Sequence, residues 1–249
     1  MSKIYSENLC VRDFYCDRSG KLSLPMIAEL AISASIQQTS ELGIGMEELQ
    51  AAGRGWVLLQ YDIKIDRRPA VGEQIQVTTE PIRSNQFFAL RNFDFYDLNG
   101  KCLIHIASLW AMIDLKRRRL VSLDQRFIKP LNTTSVERLE KLTSPTILDR
   151  SAQGNLIAAE ELKPTYFDID TNQHVNNSNY LRYFLIPVAA DFMLSHEPKR
   201  IIIKYNKEIR LDQIVVSKVQ FTGPLHSVHE IASNALVNAT AEIEWAEAQ

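Results

Sequence analysis

The chain is poor in the residues that staple or ligate. Its 249 residues hold three cysteines, Cys10, Cys16 and Cys102, all in the first half and in no paired spacing. That excludes a disulfide framework and a cysteine-based metal site, and leaves three reduced, partly buried thiols as the expectation. The five histidines are scattered, with no HExxH pattern. His226 and His229, beside Pro224, read as a solvated loop pair. No apolar run approaches the roughly 20 residues of a membrane span. The opening residues, Met1-Ser2-Lys3-Ile4-Tyr5, lack the apolar or arginine-rich character of a leader peptide. A net charge of −2 gives no global attraction to nucleic acid or membrane. The expectation is a cytoplasmic protein with no metal and no cofactor.

What is present is ordinary for a soluble globular chain: 45% apolar and 23% charged residues, and length for two medium domains or one large one. Its organisation repeats. A polar approach leads to a helical pattern at Ile27, Leu30, Ala31 and Ala34, with Ser23 placed to cap it and Pro25 in its first turn. Strand patterns follow at Trp56–Ile65, Gln74–Thr79, Phe87–Tyr96 and Lys101–Asp114. Asp97-Leu98-Asn99-Gly100 forms a hairpin turn between the last two. Residues 129–157, rich in Pro, Ser and Thr and including Gly154, break the pattern as a linker with a short helix expected around Val136–Leu142. A second round begins with a polar approach, a helix from Asn177 interrupted at Pro187, and strands Ile201–Ile209, Gln213–Phe221 and Glu230–Trp245. A helix followed by antiparallel strands, twice, suits two sheets each wrapped around a helix.

The second approach carries the chemistry. Asp170, Asn172 and His174 alternate, and in an extended segment alternate residues face the same side. A carboxylate, an amide and an imidazole sharing one space can position and polarise a carbonyl substrate and exchange protons with it. The plainer alternative stays open: Asp and Asn shape turns and cap helices, and a lone histidine is often structural. Asn176 and Asn177 read as caps, Asp168 and Asp212 as structural.

The run from Tyr166 through Asp170, Asn172, His174, Val175, Asn176 and Asn177 to Tyr180 resembles the signature of the acyl-acyl carrier protein thioesterases, a DxNxHVNNxxY pattern. Trp56-Val57-Leu58, Arg68-Pro69-Ala70-Val71-Gly72-Glu73, Arg91-Asn92-Phe93 and Trp110 through Arg118 resemble that family's first domain, in order. The resemblance implies an α+β fold. It is a tandem double hotdog, each unit an antiparallel sheet wrapped around a central helix. Residues 1–128 would form the first unit, with the acyl-chain pocket, and 158–249 the second, with the catalytic residues. Tyr205 through Asp212 resembles the segment that supplies an acid, here Glu208. Many plant members carry a cysteine next; this chain has Ile209.

The resemblance implies Asp170, Asn172, His174 and Glu208 as catalytic residues. Without the cysteine, Glu208 and Asp170 are both candidate bases, and either carboxylate could instead attack directly. The favoured expectation is Glu208 as general base on water, with Asn172 and His174 positioning it and Asp170 orienting its neighbours. Backbone amides opening the following helix would serve the developing oxyanion. Trp56, Phe88, Trp110 and Met112 are pocket candidates, or ordinary core. The implied partners are an acylated carrier protein and its medium- or long-chain acyl group, with the protein a monomer or homodimer. Carrier proteins are acidic, so Lys116 to Arg119 and Arg67-Arg68 could steer docking, or be solvated loop charge. The rival activities are acyl-CoA hydrolysis, a hydroxyacyl dehydration, and non-catalytic acyl binding.

Overall fold

The computed structural model describes residues 3–151 and 157–248. Met1, Ser2, Gln249 and the part of the expected linker at 152–156, with Gly154, lie outside the described residues. The first half runs β1 (Tyr5–Cys10), α1 (Leu24–Glu41), α2 (Met46–Ala51), β2 (Arg54–Ile65), β3 (Gln74–Ser84), β4 (Phe88–Asp97), β5 (Cys102–Asp114), β6 (Arg119–Val121), α3 (Gln125–Ile128) and β7 (Thr134–Ser135). The second runs β8 (Ile157–Leu162), α4 (Asn177–Leu185), α5 (Ala190–Ser195), β9 (His196–Tyr205), β10 (Val215–Gly223), β11 (His226–Ser233) and β12 (Leu236–Glu247).

Helix α1 starts where its sequence asks it to. The Ser23 hydroxyl accepts from Met26 N–H at 3.4 Å, and Pro25 sits in the first turn, where its missing N–H costs nothing. Ile27, Leu30, Ala31, Ala34 and Gln38 bury one face. The alanines let the sheet approach that face closely. Gly43, at φ 68°, closes the helix in the left-handed conformation that glycine adopts freely.

Ten strands form one sheet in the order β1-β3-β4-β5-β2-β9-β12-β11-β10-β8, antiparallel throughout, with β6 added beside β5 and the two-residue β7 beside β3 in parallel. Read outward from its middle, each half has the same layout. β2 and β9 meet at the centre, each is followed by the last long strand of its half, and the short first strands β1 and β8 form the edges. The halves are joined by the β2–β9 ladder, Tyr61 opposite Ile203, and by packing of α1 against α4. One apolar core runs through both, from Phe93 and Phe95 to Tyr180, Phe184 and Trp245.

Several sequence expectations need correction. Residues 136–142 form no helix. The strand expected over Glu230–Trp245 is a hairpin, β11 and β12, whose turn places Asn234 (φ 48°) and Ala235 (φ 64°) both in the left-handed region. The strand expected to reach Ile209 ends at Tyr205, which puts Glu208 in a loop. His229 is no loop residue: it is fully buried in β11. Its Nδ1 faces the Phe184 carbonyl at 3.0 Å, an acceptor only, so that nitrogen carries the proton. Nε2 then accepts from Ser227 at 2.8 Å, and the same Ser227 oxygen accepts from Trp245 Nε1–H at 2.8 Å. Burial pushes the His229 pKa down to about 4, which keeps the ring neutral and this chain intact.

Candidate active site

The polar approach to α4 folds as two tight turns. Thr165 to Asp168 form a capping box, in which the Asp168 carboxylate accepts from Thr165 N–H and Oγ1–H, both at 2.7 Å. Burial raises the Asp168 pKa, but the Thr165 hydrogen bonds and the Arg182 charge outweigh it, and the group stays below the usual carboxylate range. Asp168 is structural, as its position in the sequence suggested.

Residues 169–175 then close a second turn. Ile169 bridges Val175, Asp170 N–H donates to the His174 carbonyl at 2.9 Å, and Gln173 takes a left-handed φ of 66°. Asp170, Asn172 and His174 line one cavity, yet not because the segment is extended; the turn brings them together. Asp170 Oδ1 accepts from Asn172 N–H at 2.8 Å, and Oδ2 lies 3.6 Å from His174 Nδ1. His174 Nδ1 also faces the Val175 carbonyl at 3.2 Å. In a neutral ring that leaves Nε2 as the lone-pair nitrogen.

Glu208 reaches the same cavity from the loop after β9. Its backbone is pinned on both sides. Val175 N–H donates to the Ile209 carbonyl at 2.8 Å, and Ile209 N–H donates to the Tyr180 hydroxyl at 3.1 Å. The Asn238 carbonyl accepts from Asn206 and Lys207 N–H at 2.8 and 3.0 Å, and its amide reaches the Glu208 carbonyl at 3.3 Å. The Glu208 carboxylate is held by Arg118, from the β5–β6 turn, and by Arg210 at 3.0 Å. Ile209, which takes the place of the plant-type cysteine, is fully buried and lines no part of the cavity.

Four groups that build the site are not among the expected catalytic residues. Tyr180 closes the quoted motif, but its use as an anchor for the Glu208 loop depends on a long-range contact. Glu29 comes from α1 and accepts from Asn176 Nδ2 at 2.8 Å and Ser178 Oγ at 2.6 Å. Asn238 has no local signal, and Arg118 stands in the basic run Lys116 to Arg119, expected to steer docking or to be loop charge. The expected oxyanion site at the start of α4 is largely occupied. Ser178 N–H is capped by the Asn176 side chain at 3.1 Å and Asn179 N–H by the Asn176 carbonyl at 3.0 Å. The Glu29 carboxylate sits beside them.

The cavity measures about 880 Å³ and extends from these polar groups into the first half, between α1 and its sheet. Ile32, Ile36, Trp56, Leu58, Leu90 and Trp110 make its apolar wall. Of the four expected pocket residues, Trp56 and Trp110 line it. Met112 is fully buried in a separate small core, and Phe88 is not on the wall. Arg91 also lines it; burial lowers its pKa to about 10, and it donates to Gln38 at 2.6 Å and Thr79 at 2.7 Å. Among the described residues, no cluster of His, Cys, Asp and Glu could hold a metal ion, and no helix is long and apolar enough to cross a membrane.

Two antiparallel half-sheets, each wrapped on a helix and fused edge to edge, define a double hotdog protein, with a polar cluster opening on an apolar cavity. The chain belongs to the acyl-ACP thioesterase family: the family's N-terminal domain matches residues 2–131 and its C-terminal domain residues 152–247. It is 26% identical over 235 residues to the chloroplastic palmitoyl-acyl carrier protein thioesterase of Arabidopsis thaliana, covering 88% of this chain and 56% of that protein. A Lactobacillus plantarum protein proposed to be an oleoyl thioesterase superposes with a TM-score of 0.94 at 28% identity, over 100% of this chain and 98% of that one. The 12:0-ACP thioesterase of Umbellularia californica shares the fold, with a TM-score of 0.84 at 19% identity over 98% of each chain. The chain spans about half the length of the curated relatives it matches, 40%, 56% and 54% of the first three.

Proposed function

We propose that this protein hydrolyses acyl-acyl carrier protein, releasing a free fatty acid and the carrier thiol and so ending acyl-chain elongation. The observation that carries the reading is the meeting of Asp170, Asn172, His174 and Glu208 at the polar end of one apolar cavity, in a chain of this family. The acyl chain lies along α1 in the first unit, residues 1–128. Asp170, Asn172, His174 and Glu208 belong to the second, residues 158–249, with 129–157 as the linker.

Glu208 takes a proton from water as the water oxygen attacks the thioester carbon. Asn172 and the His174 Nε2 lone pair orient that water, and Asp170 fixes both neighbours through Asn172 N–H and His174 Nδ1. When the tetrahedral intermediate collapses, the carbon–sulfur bond breaks and the proton held by Glu208 passes to the departing thiolate. No nucleophilic cysteine enters, because position 209 is a buried isoleucine.

The test is hydrolysis of matched acyl-carrier-protein and acyl-CoA substrates over a series of chain lengths, read as thiol and fatty acid release. Carrier-protein substrates are expected to turn over faster at every length. Equal or better rates with CoA would replace the carrier in this reading. Tight acyl binding with no turnover of any thioester would replace hydrolysis itself.

A further inference from the structure

We infer that Arg118 is a catalytic residue: its guanidinium donates to the carbonyl oxygen of the substrate as that oxygen gains charge, while still holding Glu208. The inference rests on the hydrolytic reading above and on Glu208 as its base.

Three observations converge on it. The first is what the usual donor lacks. Hydrolysis needs hydrogen-bond donors at the developing oxyanion, and the α4 amides that would supply them are mostly bonded within the cap. The cavity's polar end also holds three carboxylates, Glu29, Asp170 and Glu208. Once Glu208 has taken the proton, the oxyanion forms beside two remaining carboxylates, Glu29 and Asp170, and a cation at the same place stabilises it.

The second is which cation is available. Four line the cavity: Arg54, Arg91, Arg118 and Lys207. Arg54 is paired with Asp114 at 3.1 Å. Arg91, on β4 two strands from β2, bonds Gln38 and Thr79. Lys207 is exposed. Arg118 touches Glu208 Oε2 through Nη2, and its other guanidinium N–H groups meet no protein acceptor among the described residues. A planar fork with donors to spare can hold a carboxylate and a neighbouring oxygen together.

The third is the backbone. Arg118 has a φ of 50°, in a turn whose N–H groups are tied to Asp114: Arg118 N to its carbonyl at 2.7 Å, Arg117 N and Lys116 N to Oδ1 at 2.8 and 3.1 Å. Glycine would fill this left-handed position without strain. An arginine there is explained by what its side chain reaches.

The electrostatics are economical. As the proton moves from water to Glu208, the negative charge moves from the carboxylate to the substrate oxygen. A guanidinium beside both keeps one anionic partner throughout, so the charge shift needs little rearrangement around it. Arg210, two residues from Glu208 on the same loop, serves as the fixed brace for Oε1.

The test is steady-state kinetics of Arg118→Ala and Arg118→Lys on acyl carrier protein and on a short acyl thioester lacking the carrier. Loss of an oxyanion donor typically costs about 10²–10³ in kcat. Arg118→Ala is expected to show such a loss on both substrates with KM nearly unchanged, and Arg118→Lys to recover part of it. Added methylguanidine is expected to raise the Arg118→Ala rate at least tenfold, which a merely structural role would not allow. If Arg118→Ala folds poorly, Arg118→Lys decides the matter: a lowered kcat on both substrates with KM nearly unchanged supports the inference, and an unchanged kcat overturns it. Unchanged kcat with a raised KM for carrier protein alone would make Arg118 a docking residue and overturn the inference. A loss that methylguanidine does not rescue would overturn it as well. An inactive wild type, or a fully active Glu208→Gln, would instead strike the function or the base on which it rests.

Discussion

At the scale of single residues, the site joins groups of very different standing. Glu208 is expected to be the one whose loss removes chemistry and spares the fold, because its side chain lies in a loop and bonds only to arginines that are themselves exposed. Glu208→Gln should lower kcat by about 10²–10⁴, the usual worth of a general base, with an unchanged melting curve. Full activity in that variant would remove Glu208 from the mechanism. His229 is the opposite case, a buried imidazole that does no chemistry and holds the end of α4 through the Phe184 carbonyl. Its folded pKa, about 4, lies below the unfolded value of 6.5, so the unfolded chain binds more protons between them. Its contribution is therefore complete above pH 6.5 and is lost as pH falls toward 4, on the order of 3 kcal/mol in all. Denaturant titrations at pH 7 and pH 5 should differ in wild type and differ much less in His229→Gln. An equal pH slope in both would place the acid sensitivity elsewhere.

At the scale of elements, the informative unit is the loop from Asn206 to Ile209. It acts as a shelf for Glu208, and Tyr180 is its principal side-chain support. The Tyr180 hydroxyl is buried, burial raises its pKa well above the ordinary tyrosine value, and it stays a neutral group that accepts from Ile209 N–H. Tyr180→Phe would leave that amide buried without a partner, at a cost of about 1–3 kcal/mol. The expected result is a lower melting temperature together with a lower kcat, since the shelf sets where Glu208 sits. A lower melting temperature with unchanged kcat would mean that the loop holds its place without the tyrosine.

The same elements show what could be read from the chain. Helix α1 was legible because its signals are local: Ser23, Pro25 and the spacing of Ile27, Leu30, Ala31 and Ala34. The β4–β5 hairpin was legible from Asn99-Gly100, with Gly100 at φ 79°. The β11–β12 hairpin was not, because its turn uses Asn234-Ala235, and alanine seldom marks a left-handed position. The edge strands β1 and β8 are six residues each and gain their identity from pairing with β3 and β10. The grouping of Asp170, Asn172 and His174 was foreseen for the wrong reason, since a turn and not an extended strand gathers them. Glu29 and Asn238 come from distant parts of the chain and carry no local pattern; Arg118 stands out in the basic run Lys116 to Arg119, but its contact with Glu208 appears only in the fold.

At the scale of the whole molecule, the halves share one sheet and one core, and an ion cluster fastens them at a second place. Arg68, only 5% exposed, donates through Nε to Glu197 Oε2 at 2.8 Å and through Nη2 to Oε1 at 3.1 Å. Its Nη1 reaches Asp17 and the Leu22 carbonyl, and Lys21 adds a contact to Glu197 at 2.9 Å. The sequence offered Arg67-Arg68 as a docking patch or loop charge; Arg67 pairs with Glu73 near the surface, but Arg68 joins the first half to the start of β9. Burial raises the Glu197 pKa, yet Arg68 and Lys21 outweigh it and hold the group below the usual range. Removing one partner of a buried pair leaves the other charge stranded and costs about 3–5 kcal/mol. Arg68→Met should therefore lower the melting temperature by about 2–4 °C for each kcal/mol lost. Adding Glu197→Gln should return part of the loss, because the stranded carboxylate is then gone. A double variant as unstable as the sum of the two singles would show that Arg68 contributes by packing and not by its charge.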